Sequence, residues 1–132
     1  MNAWLLAAIL NLMAALVHIG IIVGGPGWYR FFGAGERMAI MAERKHPWPA
    51  ILTSTIALAL AVASAYCLAL GGYLGELPLM WWVGVLLTAI YTLRGILPLV
   101  AMAFARQART PFLLWSSLIC GGIAVVHWLA WV

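Results

Sequence analysis

Long apolar runs separated by short polar interruptions dominate this chain. The runs cover roughly residues 2–24, 50–72, 77–104 and 111–132. Each is long enough for an α-helix to cross the ~30 Å hydrocarbon core of a bilayer, which takes ~20 residues. Glycine and proline punctuate the boundaries. Gly24, Gly25, Pro26 and Gly27 stop the first run, Pro49 opens the second, and Gly71 and Gly72 close it. Pro78 and Pro111 fall near the first turns of the third and fourth, where a missing N–H costs little. Residues 28–46 are too short and too charged to cross. Gly33 and Gly35 break that segment, and 36–45 predicts about three helical turns with Glu36 and Glu43 on one face. Flanked by Phe31, Phe32, Met38 and Met41, it reads as an interfacial helix, a lid, or an aromatic-anchored loop. The predicted fold is an all-α membrane protein: one domain over 1–132, a four-transmembrane-helix bundle with a cytoplasmic interfacial helix between helices 1 and 2.

Composition strengthens this reading. The 132 residues are 67% hydrophobic and only 8% charged, whereas a soluble domain carries about 25% charge on its water-facing surface. Residues 1–24 lack a basic leader region and span a full bilayer, so they read as a retained helix and not as a cleaved signal.

Charge then orients the helices. Arg30, Arg37, Arg44, Lys45, Arg106 and Arg109 all fall in the two loops on one side, while the loop at 73–76 carries Glu76 and no basic residue. The positive-inside rule makes the basic side cytoplasmic and both termini periplasmic. The tryptophans give a second criterion. Trp4, Trp81, Trp82, Trp128 and Trp131 group at the terminal side, and Trp28, Trp48 and Trp115 at the other. Two such belts mark the two membrane–water interfaces. The net charge of +4 is therefore a matter of topology, and nucleic acid is not an expected partner.

Ionisable groups inside a bilayer are costly and need a reason. On a ~1.5 Å rise per residue, His18 lies roughly 8–10 Å below the cytoplasmic face and Arg94 about 15 Å below it. His127 lies about 8 Å below the opposite face on the same ruler. Histidines so far apart in depth cannot share a metal, whose bonds to nitrogen are only ~2 Å long. Neither a metal nor another cofactor is expected, and the chain lacks Walker, GxGxxG, GxSxG, HExxH and CxxC motifs. Cys67 and Cys120 read as small packing residues.

Arg94 is the most informative position. Pro98 deprives its carbonyl of the usual i→i−4 partner, and Tyr91 lies one turn earlier. Directing these faces inward predicts a cytoplasm-facing cavity lined by Arg94, His18, Tyr91, Ser116 or Ser117. Glu36 or Glu43 would offset the buried cation. His127 reads as a structural partner of Tyr66, Tyr73 or backbone. Ala57, Ala61, Ala65 and Ala69 recur every four residues, a ridge for packing within the bundle or in a homodimer.

The stretch from His18 to Met38 with its WYRFFGAGE, the LRG at 93–95 and the WSS at 115–117 resemble small four-helix inner-membrane proteins of proteobacteria. The resemblance covers most of the chain. It implies the topology and a bacterial origin and carries no function.

Three functions fit these residues. The first is binding or transport of an amphiphilic or anionic small molecule, a lipid or small anion, around Arg94. The second is an accessory or assembly subunit of a larger membrane complex. The third is an enzyme on a lipid-soluble substrate, with His18 and Glu36 or Glu43 as the acid–base pair.

Overall fold

The computed structural model describes residues 2–132, with the side chain of residue 108 left aside. Among the described residues there are α-helices and one 3₁₀ turn, and no strand. Four helices are long and apolar enough to cross a membrane: α1 (Ala3–Gly24), α4 (Trp48–Leu70), α5 (Met80–Phe104) and α6 (Pro111–Ala130). Two short helices, α2 (Pro26–Phe31) and α3 (Glu36–Glu43), lie between the first two. The helix expected over 36–45 is present as α3, and α2 before it is an addition. Pro26 ends one helix and starts the next, because its fixed φ and missing N–H suit a first helical position.

Local chemistry sets the helix ends. Asn2 caps α1, its Oδ1 accepting from the Leu5 N–H at 2.9 Å, and Thr110 caps α6 through the Leu113 N–H at 3.1 Å. Each supplies an acceptor for an N–H that the first turn leaves unpaired. The third spanning helix begins at Met80, not at residue 77. Pro78 lies outside it, and its carbonyl accepts the Tyr66 hydroxyl at 3.1 Å. The second begins at Trp48, where His46 Nδ1 accepts the Trp48 N–H at 3.1 Å.

At the other end of α4 the Tyr73 N–H reaches Leu68 O at 2.9 Å and the Gly72 N–H reaches Ala69 O at 3.0 Å. This is a Schellman closure with Gly72 at φ 80°. The same closure ends α3: His46 N–H to Met41 O, and Lys45 N–H to Ala42 O. There the left-handed position (φ 56°) is held by Lys45.

The described chain clusters into two compact units, which cut α1 and α4 part-way along: residues 2–10 with 63–132, and residues 11–62. In the first, Trp4, Ala7, Ala8 and Cys67 form a buried core, with Leu87, Val126 and Trp131 packed against it. The Ser64 hydroxyl donates to Ala8 O at 2.8 Å. Helices α5 and α6 pair closely in this unit. An added Cβ at Gly95 would lie 2.9 Å from both Cα and N of Gly121, so only glycine permits this approach. Small residues at a crossing of this kind let two backbones meet inside a membrane. Helix α5 runs through Pro98 without a break.

In the second unit α2 and α3 form a hairpin around buried Ile21, Tyr29 and Ala39. The alanine ridge of α4 is only partly a packing surface. Ala57 and Ala69 are buried, while Ala61 is exposed. A strict four-residue repeat advances ~400° on a 3.6-residue helix and so drifts off any one face. The buried positions Thr53, Ala57, Ser64 and Cys67 follow the mixed three-and-four spacing that a straight face requires.

Candidate functional site

The residues singled out from the sequence divide between the two units. Arg94, Tyr91, Ser116 and Ser117 belong to the first, and His18, Glu36 and Glu43 to the second.

Arg94 is half-buried, and its Nη2 donates to Ser116 Oγ at 3.1 Å. The Ser116 hydroxyl donates in turn to Leu113 O at 3.3 Å. The guanidinium is thereby carried to the level of Ser116, five residues into α6, which is about 7–8 Å from the start of that helix. The long cationic side chain thus reaches toward the N-terminal end of α6. Arg94 Nη1 is buried and has no hydrogen-bond partner among the described residues. The same holds for the Oγ of Ser117, which is fully buried. Ser117 O lies 3.5 Å from the Cβ position of Gly95, so the close helix crossing includes the Ser117 backbone. The four spans contain no other Arg, Lys, Asp or Glu.

Tyr91 is buried one turn before Arg94 and packs its ring on His127, with centroids 5.2 Å apart. His127 is fully buried. Its Nδ1 donates to Ile123 O at 2.9 Å, which leaves Nε2 of the neutral ring as an acceptor. Cys67 Sγ is 3.7 Å from that Nε2, and Trp4 meets the imidazole edge-on at 5.9 Å. The backbone partner expected for His127 is present. The neighbours Trp4, Cys67 and Tyr91 were not foreseen, nor was a second polar seam between α5 and α6. There Trp131 Nε1 donates to Thr88 Oγ1 at 3.0 Å and Trp128 Nε1 to Thr92 Oγ1 at 3.1 Å. The signal for that seam was present: two threonines four residues apart on α5, opposite Trp128 near the end of α6 and Trp131 at its C-cap.

In the other unit His18 is half-buried, and its Nδ1 donates to Ala14 O at 2.7 Å. Both carboxylates of α3 are engaged by Arg30. Nε and Nη2 clasp Glu36 at 2.7–3.1 Å, and Nη1 meets Glu43 at 2.7 Å. Hydrogen bonding from Arg30 holds the Glu36 carboxyl below its usual range, and the same pairs raise Arg30. A carboxylate stabilised in its charged form is a weaker base. Next to this pair, Gly27, Trp28, Phe31 and Phe32 line an open apolar groove of about 400 Å³.

Among the described residues no group of three or more His, Cys, Asp or Glu is placed to hold a metal ion. No known protein family, curated protein or solved structure matches this chain.

Proposed function

We propose that this chain is a small multi-pass protein of a bacterial inner membrane that binds or transports an amphiphilic or anionic small molecule around Arg94. In this reading the four spans form one bundle with α2 and α3 on the cytoplasmic side and both termini periplasmic. Basic residues crowded into 30–45 and 106–109 support that orientation.

One observation carries the functional reading. The sole charged side chain of the four spans has one arm on Ser116 and the other buried without a partner among the described residues. A buried cationic donor left unpaired is costly, and an incoming acceptor removes the cost. A purely structural arginine would spend both arms on the protein. The enzyme reading is weaker, because its two candidate bases, Glu36 and Glu43, are both paired to Arg30. An accessory-subunit role has some support in the exposed strip of Leu58, Ala61 and Val62 on α4, a surface for another chain or a second copy.

Native mass spectrometry of the protein released from gentle detergent tests the binding reading. Wild type should carry a bound small molecule that Arg94→Leu lacks, with helix content unchanged by circular dichroism. Equal occupancy in both proteins would overturn it.

A further inference from the structure

We infer that the ligand held at Arg94 is the carboxylate of a long-chain monocarboxylic acid, a fatty-acid-like amphiphile; this rests on the binding role proposed above.

The donor inventory comes first. With Nη2 committed to Ser116, the site offers Arg94 Nη1 and the Ser117 hydroxyl, both buried and unpartnered among the described residues. A carboxylate has two acceptor oxygens in one plane, so it takes one bond from each donor. Shielding from water strengthens both bonds relative to the same contacts at an exposed surface.

Charge narrows the class further. Arg94 is the only charged side chain of the spans, so a single negative charge brings the site to neutrality. A dianionic phosphate monoester would leave a net charge in hydrocarbon, which is costly. A phosphodiester lipid is monoanionic, but it carries a polar group on each side of the phosphate. The site lies about 7–8 Å inside the start of α6, below headgroup level on the helix rise. A terminal carboxylate trails only an alkyl chain and is small enough to follow it in.

There is also room for that chain. A Cβ added at Gly121, one turn beyond Ser117 on α6, would meet nothing within 4 Å. On the same helix Leu118, adjacent to this face, is exposed and adds apolar surface.

The test titrates delipidated protein in neutral detergent with four probes, read by native mass spectrometry: hexadecanoic acid, hexadecanol, octanoic acid and dipalmitoyl phosphatidylglycerol. Hexadecanoic acid should bind, and hexadecanol should bind at least tenfold more weakly. Arg94→Leu and Ser117→Ala should each weaken the acid by about 10–100-fold, the range for hydrogen bonds to a charged group. Arg94→Lys keeps the charge and guards against misfolding; it should retain part of the affinity. Gly121→Leu should weaken hexadecanoic and octanoic acid alike, because both chains are long enough to pass Gly121, ~6 Å along α6 from Ser117. Arg94-dependent binding of phosphatidylglycerol without the acid would overturn the carboxylate assignment and leave the binding role standing. Equal binding of acid and alcohol would also overturn the assignment. No Arg94-dependent binding of any probe would overturn both.

Discussion

Gly95 on α5 lies directly against the backbone of Gly121 on α6, with 2.9 Å between the Gly121 Cα and the place a Gly95 Cβ would occupy. The relationship is asymmetric, since a Cβ on Gly121 would meet nothing within 4 Å. Gly95→Ala should therefore force the helices apart and cost about 1–3 kcal/mol, as overpacking does elsewhere. Gly121→Ala should be close to neutral. Thermal unfolding in detergent checks the pair, and equal losses in the two variants would contradict the asymmetry.

His127 fills a fully buried place between Trp4, Tyr91 and Cys67. His127→Ala should lose about 2–5 kcal/mol, the range for emptying a packed core site. Cys67→Ala removes far less volume and should cost much less. Chemical unfolding monitored by tryptophan fluorescence measures both, with Trp4 adjacent to the altered position.

The seam of Trp131 on Thr88 and Trp128 on Thr92 makes a milder prediction. Interhelical hydrogen bonds in membranes average ~0.6 kcal/mol. Trp131→Phe, which keeps most of the ring and deletes the N–H, should destabilise by about that amount. A change several times larger would show that packing and not the hydrogen bond dominates there.

Lys45 closes α3 at φ 56°, a backbone region that glycine adopts without the Cβ penalty of about 1–2 kcal/mol. Lys45→Gly should therefore slow hydrogen exchange at His46 and its neighbours in the α3 closure. Faster exchange would show that the lysine side chain contributes a contact that outweighs its backbone strain.

Arg30 gives the hairpin a pH dependence. The Glu36 carboxyl is held below its ordinary value of 4.5, chiefly by hydrogen bonding to Arg30. A lowered folded-state value means the pairing contributes above about pH 4.5 and is lost as pH falls through the lower value. Exchange protection of the α2–α3 amides should be flat from pH 8 to pH 5 and fall below that. Glu36→Gln should lessen the fall, since the Arg30–Glu43 pair remains, and salt should weaken the pairing because the partners are exposed.

The four spans were legible because hydrophobic run length is a one-dimensional property, recoverable without knowing any partner. Starts were less so: Leu77 and Leu79 are as apolar as the helix that follows, and only the left-handed Leu79 separates them from it. Glu36 and Glu43 were placed on one face correctly, but their partner sits before the turn, at Arg30, where helical spacing rules do not reach. Arg94 announced itself as a lone charge, and Ser116 was named as its neighbour. That one guanidinium arm would stay unpaired could not be read. The cluster at His127 joins α1, α4, α5 and α6, and depends on how their faces are turned in three dimensions.

The Arg30 clasp spans very little chain: six residues to Glu36 and thirteen to Glu43. Contacts this local close in microseconds, far faster than synthesis at ~5–20 residues per second. The hairpin is thus competent to close while α4 is still being synthesised. Helix α4 then follows a connector already folded into two short helices. Such a connector limits how far α4 can stray from α1 while the remaining pair, α5 and α6, is made.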